Sequence, residues 1–247
     1  MGIGAGILLI SLGGIHCPWP PNSDQPWPFS KPKSPSQTPA PEKVALPGMI
    51  PETEDLSGKI IACSGRLQLD KLQRSPADRP ANRTRMEVSA SGNFQDTANL
   101  IACFGKGPVI WELGDVRLLH GAPRLGDYRV NLAVTAYHSL LVPGPGFSSR
   151  AEAEAWFAGL PAQCQDTAAL LSAIYLGAEP AIELRKIELG QKEGRIEGRA
   201  GRYEEIYALM EGLKNKGLVK NPRLEQLRRH QAGLGEQDQE FEMRFER

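Results

Sequence analysis

The sequence predicts an α+β protein: a small five-stranded Greek-key β-barrel, followed by a helical C-terminal region and preceded by a proline-rich segment. Three observations carry this prediction. Residues 18–51 contain 11 prolines. Residues 56–146 contain short, strand-like runs that are separated by turn residues. Residues 147–247 place apolar residues at helical spacing among many charges. A chain of 247 residues is long enough for one or two such domains.

Residues 1–17 form an apolar N-terminal segment. The uncharged run GIGAGILLISLGGI (2–15) is shorter than the roughly 20 residues that a membrane-spanning helix needs. It also lacks the basic start of a secretory signal. Two interpretations are open: membrane association through residues 3–15, or a tail without structural importance. We expect an intracellular location and keep an envelope-anchored one open. Residues 18–55 are predicted to be a disordered linker with polyproline II character.

Five strands are predicted within residues 56–146. Gly65, in the middle of the first, would relieve the sharp bend that a small closed barrel imposes on a strand. An open sandwich of the same strands is the alternative. The strand segments are KIIACSGRLQL (59–69), RTRMEVSAS (83–91), ANLIACFGK (98–106), DVRLLHG (115–121) and DYRVNLAVTAYHSLLV (127–142).

Four of these segments resemble the OB-folds of the telomere-end-binding and replication-protein-A type. They are LSGKIIACSGRL, LIACFGKG, and LGDVRLLHG with GDYRVNLAV, within the central third of the chain. In the resemblance, Gly58 opens the first strand, residues 100–104 form the third, and Gly114 with Asp115 begins the fourth. The resemblance implies binding of single-stranded nucleic acid along the barrel, and it implies no catalysis.

The local charge has the sign that nucleic-acid binding requires. Residues 58–141 hold 11 basic and 7 acidic residues, an excess of 11 − 7 = 4, although the whole chain has 29 of each. Phe94, Phe104, Tyr128 and Tyr137 are candidates for base stacking, but aromatic residues of small barrels more often belong to the core, and the alternation points Tyr128 inward. The candidate nucleic-acid-binding residues are Arg66, Lys71, Arg74, Arg83, Arg85, Arg117 and Arg129.

The C-terminal part is predicted to be helical. Residues 147–180 contain two packing helices, at 148–160 and 164–177, and residues 181–247 form a charged helical tail. Gly190, Gly194 and Gly198 recur every four residues, which would place them on one face of a helix and allow another helix to approach closely. The tail is therefore expected either to bind protein partners or to be a flexible helix that the glycines break.

The sequence contains no recognisable catalytic chemistry. His16, His120, His138 and His230 are not at metal-ligand spacing, and no nucleotide-binding or nucleophile motif is present. We therefore predict no catalytic residue, metal or cofactor. The four cysteines form no CxxC pair. A disulfide between Cys63 and Cys103 and two separate buried thiols both fit their spacing.

Two functions fit these observations. The first is a non-catalytic protein that binds single-stranded nucleic acid through the barrel. The alternative is a structural or assembly protein of a membrane-associated or multi-subunit complex, which uses the barrel and the C-terminal helix for protein contacts.

Overall fold

An open antiparallel sheet with helices packed on one face organises the protein. The structure is a computed structural model and describes residues 41–51, 54–75, 82–121, 128–143, 146–231 and 237–247. The apolar segment 1–17 and most of the proline-rich segment lie outside the described residues. In chain order the elements are β1 (Glu42–Val44), α1 (Leu56–Ser64), β2 (Gln68–Arg74), β3 (Arg83–Gly92), α2 (Phe94–Phe104), β4 (Trp111–His120), β5 (Tyr128–Tyr137), β6 (Leu140–Val142), α3 (Arg150–Ala178), β7 (Ile182–Leu189), β8 (Glu193–Ala200), α4 (Tyr203–Asn215), β9 (Lys220–Gln231) and β10 (Gln237–Glu246).

The chain contains the same structural unit twice. After β1, the order α-β-β-α-β-β occurs from α1 to β5 and again from α3 to β10. The eight-stranded sheet has the order β2-β3-β5-β4-β7-β8-β10-β9, so each unit places its strands in the order first, second, fourth, third. The two units join where β4 pairs with β7, from Val116 opposite Leu189 to Leu119 opposite Lys186. The short strands β1 and β6 pair separately.

The α+β class is confirmed, but two of the five predicted barrel strands are wrong. Residues 59–64 lie in α1, and residues 98–104 lie in α2. Side chains that accept hydrogen bonds from the first backbone N–H groups start both helices: Asp55 caps α1, and Asn93 caps α2 with a 2.7 Å bond from Asp96 N. The described strands therefore form an open sheet, and the closed barrel is not built from these elements.

The predicted helical tail at 181–247 is also wrong, because only α4 within it is helical among the described residues. Gly190 lies in the turn between β7 and β8, and Gly194 and Gly198 lie in β8, where a spacing of four residues keeps them on one face of the strand. That face is the buried side of the sheet, which also carries Phe241 and Phe245 of the neighbouring strand β10. Gly194 leaves room for the ring of Phe245, and a Cβ at Gly198 would lie 2.9 Å from Cε1 of Phe241. The glycines accommodate aromatic rings, not a second helix.

The two packing helices predicted for 147–180 are one helix, α3, which continues through Pro161. Ser149 caps it by accepting a hydrogen bond from Glu152 N at 3.2 Å. The predicted linker also ends earlier than residue 55, because Val44 and Ile50 are buried. The main core lies between the helices and the sheet, and a smaller cluster surrounds Tyr137 and Phe157 beside β1 and β6.

Candidate functional site

The sheet face opposite the helices carries most of the charged side chains of the strands. On this face, β2, β3 and β4 contribute Lys71, Arg85 and Arg117 to one groove of about 340 Å³. Glu87 and Asp115 line the same groove. The structure thus brings together three of the seven predicted nucleic-acid-binding residues, with two carboxylates between them.

The other four predicted residues do not join this groove. Arg66 is exposed in the turn after α1, and Arg129 is exposed on β5, opposite Leu119 of β4. Arg74 Nη2 donates to Thr84 Oγ1 at 2.8 Å. Arg83 lines a different cavity, near Tyr137. None of these four side chains lines the groove that contains Lys71, Arg85 and Arg117.

The charges continue across the second unit as a network of ion pairs. Arg117 Nε lies 3.5 Å from Glu188 Oε1, which links the groove to β7. Each basic side chain of β7 and β8 in the network has an acidic neighbour, so the face has little net charge. The pairs are Lys186 with Glu188 (3.1 Å) and Glu197 (3.4 Å), Arg195 with Glu197 (3.1 Å) and Glu242 (2.7 Å), and Arg185 (2.6 Å) and Arg199 (2.7 Å) with Glu240.

The four candidate stacking aromatics belong to the interior. Phe94 and Phe104 are buried in the core. Tyr128 is also buried, as predicted; its hydroxyl donates to Leu184 O at 3.2 Å, and burial raises its pKa to about 12. Tyr137 donates to Glu112 Oε2 at 2.6 Å, and burial followed by this bond raises its pKa. None of the four presents an open ring to a base.

A cavity of about 500 Å³ lies at the end of the sheet near Tyr137. Asn82, Arg83 and Glu112 supply polar groups to its lining, and Phe147 and Trp156 supply an aromatic wall. Gln191 Nε2 donates to the second carboxylate oxygen of Glu112 at 3.1 Å. Glu112 is therefore held by two hydrogen bonds, which suits a structural carboxylate.

The contacts of His138 are structural. His138 Nδ1 lies 3.0 Å from Ile50 O, and its Nε2 lies 2.9 Å from Thr84 Oγ1, so the ring ties the segment before α1 to β3. Among the residues that the structure describes, no group of three or more His, Cys, Asp or Glu side chains could hold a metal ion.

The cysteine alternatives are resolved by a disulfide. Cys63 and Cys103 are bonded and join α1 to α2, with a Cα–Cα distance of 5.6 Å. Cys164 is a buried thiol whose pKa burial raises to about 11, so it is a poor nucleophile. In the described part of the chain, no helix is both long and apolar enough to cross a membrane.

The second unit exposes apolar side chains beside a sheet edge. Tyr203 and Tyr207 of α4 stack on each other with ring centroids 6.4 Å apart, and they are 45% and 52% exposed. Leu227 of the edge strand β9 is 39% exposed, and α4 contacts β9. We did not predict this surface from the sequence, although the i, i+4 spacing of the two tyrosines outside the apolar stripe of α4 was a usable signal.

Comparisons with family models, with curated proteins and with solved structures found no match. The resemblance to OB-folds of the telomere-end-binding and replication-protein-A type stays a prediction.

Proposed function

We propose that this protein is a non-catalytic assembly protein that binds other protein chains of a multi-subunit complex. The observation that carries the proposal is the surface formed by Tyr203, Tyr207 and Leu227 next to the edge strand β9. We call this surface the β9 edge patch. Tyrosine is enriched at protein interfaces, because its large apolar ring carries a hydroxyl that tolerates water before binding.

The joint between the two units supports this proposal. Val116 to Leu119 of β4 pair with β7, so the protein itself joins two like units by pairing strand edges. Leu118 and Ile187 are fully buried opposite each other at this joint. The same combination of strand pairing and apolar contact suits an interface with another chain.

The disulfide agrees with the envelope location that the sequence left open for this function. Disulfides persist mainly in oxidising compartments, and they are rare in proteins of the reducing cytosol. The Cys63–Cys103 bond therefore supports a site of action outside the cytosol.

Binding of single-stranded nucleic acid is a second candidate, which the groove containing Lys71, Arg85 and Arg117 favours. Two features weigh against it. Glu87 and Asp115 line the same groove, and the predicted stacking rings are buried. Stacking on aromatic rings supplies much of the affinity in such sites, about 1–3 kcal/mol per base.

Site-specific photo-crosslinking tests the assembly function. A photoreactive amino acid replaces Tyr207 in the full chain, expressed in its native cells, and the control replaces the exposed Lys106 after α2. We expect a discrete cross-linked product of one size from position 207 and none of that size from position 106. Equal patterns from both positions would refute the proposal.

Fluorescence anisotropy tests the second candidate with a labelled single-stranded DNA of mixed sequence. Because counterion release makes phosphate binding steeply salt-dependent, true binding should weaken strongly between low and moderate salt. We expect no such binding. Salt-dependent binding that Arg85→Ala and Arg117→Ala both weaken would instead establish the nucleic-acid function.

A further inference from the structure

The β9 strand is a long edge with an unused side. It runs over 12 residues, Lys220–Gln231, and among the described residues it pairs with β10 alone. An edge strand presents a row of backbone N–H and C=O groups that another extended chain can pair with.

The two faces of β9 differ in chemistry. Leu227 lies opposite Phe241, which is buried in the core, so Leu227 is on the helix side of the sheet. Arg228 lies opposite Glu240, and Arg223 lies opposite Arg244, so both arginines are on the charged side. Both arginines are exposed. A strand added to β9 would thus meet Leu227, with Arg229 beyond it, on one face and Arg223 and Arg228 on the other.

The two tyrosines of the β9 edge patch lie on the flank of α4 that faces this edge. A Cβ at Gly177 of α3 would be 2.9 Å from Leu209 Cδ1, so α3 lies on the Leu209 side of α4. A helix turns by about 100° per residue, which places Tyr203 and Tyr207 on the opposite flank. Because α3 contacts β4 and β7 while α4 contacts β8 and β9, that flank points toward the edge.

The length of β9 is sufficient to bring Leu227 level with the same tyrosines. The chain reverses between α4 and β9, so the strand runs back along the helix. At roughly 3.3 Å per strand residue, Leu227 is about 23 Å beyond Lys220. At about 1.5 Å per helix residue, α4 is about 20 Å long, so β9 is long enough to return to the first turns of α4, where Tyr203 and Tyr207 are located.

Charge identifies the kind of strand that fits. Residues 223–229 hold three arginines and one glutamate, a net charge of 3 − 1 = +2. Two copies of this chain paired through β9 would bring two edges of +2 together, which is unfavourable. An acidic segment would be attracted to the same edge.

We propose that the β9 edge binds an extended segment of a partner protein, in which acidic residues alternate with apolar ones. The acidic side chains face Arg223 and Arg228, and the apolar side chains pack on Leu227 and Tyr207. Backbone hydrogen bonds to β9 supply affinity, and the two unlike faces set the register. This inference rests on the proposed assembly function and specifies the partner for the same surface.

A model peptide tests the proposal on the full chain. The probe is a fluorescent ten-residue peptide of alternating Glu and Val, measured by anisotropy at low salt. One control peptide has alternate backbone nitrogens methylated, which removes N–H donors, and a second has Lys in place of Glu. We expect binding of the acidic peptide and loss of binding for both controls.

Charge reversal locates the binding. Arg223→Glu with Arg228→Glu should weaken binding of the acidic peptide at least about tenfold and create binding of the Lys peptide, because two favourable charge contacts become repulsive. The matched control, Lys106→Glu with Arg150→Glu, reverses two exposed charges away from β9, after α2 and at the start of α3, and should leave binding unchanged. Leu227→Ser should weaken binding without changing its charge preference.

Three results would overturn the inference: equal affinity for the methylated peptide, insensitivity to reversal of Arg223 and Arg228, or self-association of the protein that this reversal abolishes. If position 207 cross-links to a partner but the acidic peptide fails to bind, the assembly function stands and strand addition at β9 is wrong. If both fail, the assembly function fails too.

Discussion

Replacing Gly198 with alanine tests whether the glycines of the C-terminal part serve a strand or a helix. A Cβ at Gly198 would lie 2.7 Å from Glu183 O and 2.9 Å from Phe241 Cε1. Ordinary contact begins at 3.4 Å, so the two approaches are too short by 3.4 − 2.7 = 0.7 Å and 3.4 − 2.9 = 0.5 Å. The first neighbour is backbone of the paired strand β7, which cannot move without disturbing the sheet.

The expected cost follows from these distances. Overpacking of this kind destabilises by about 1–3 kcal/mol. Alanine recovers roughly 0.5–1 kcal/mol, because glycine loses more backbone freedom on folding. We expect a net loss of about 1–2 kcal/mol in the free energy of unfolding, and a fall in Tm of roughly 2–8 °C.

Urea denaturation followed by tryptophan fluorescence measures the loss, with Gly159→Ala as the control. Gly159 lies within α3, and a Cβ there would meet nothing within 4 Å. Alanine should stabilise that helix by about 1 kcal/mol. The two substitutions should therefore have opposite signs. If Gly198→Ala also stabilised the protein, as a helical glycine stripe requires, the strand assignment would be wrong.

Three further substitutions or treatments have defined outcomes. Phe241→Leu should make Gly198→Ala less costly, because the smaller side chain leaves room for the added Cβ. The double variant should be more stable, by at least about 0.5 kcal/mol, than the two single losses of unfolding free energy added together predict. Strict additivity would contradict the packing argument. Reduction of the Cys63–Cys103 bond, which closes a loop of 40 residues, should cost about 3–4 kcal/mol, and thiol titration of the unreduced, denatured chain should find two fewer thiols than after reduction. Because the pKa of Tyr128 is raised to about 12 in the folded state, its contribution is complete below about pH 10 and is lost as the pH rises to 12. Between pH 10 and pH 12, Tyr128→Phe should therefore lose about 2–3 kcal/mol less of its free energy of unfolding than the unchanged protein loses. Equal losses for the two proteins in urea denaturation would argue against burial of the hydroxyl.

The sequence predicted the strands of the first unit where apolar and polar residues alternate cleanly. Residues 83–91 and 127–142 match β3 and the β5–β6 region, because alternation of apolar and polar residues over many positions predicts a strand and not a helix. The runs KIIAC and LIAC do not alternate, and short apolar runs fit a buried strand and a buried helix equally well. The deciding signals were Asp55 and Asn93, two helix caps that we did not weigh.

The strands of the second unit were not predicted, because charged residues and glycines obscured the alternation of apolar and polar residues that is typical of strands. In β7, Ile182 and Leu184 alternate with charged residues, and a bulge between Leu184 and Lys186 then shifts the alternation by one residue. In β8, two of the inward positions are glycines, which do not register as apolar. The duplication of the whole unit was invisible for the same reason, since it conserves topology and not residue pattern.

Fusion of the two units also determines how many partners the sheet can accept. Two separate units would expose four edges, whereas joining them through β4 and β7 leaves two among the described strands, β2 and β9. The β2 edge has 7 residues and the β9 edge has 12, so β9 offers the longer row of backbone groups, although both strands have register irregularities against their neighbours. With β9 as the proposed acceptor edge, one molecule would take up one partner segment, and we expect a one-to-one complex rather than an open-ended array.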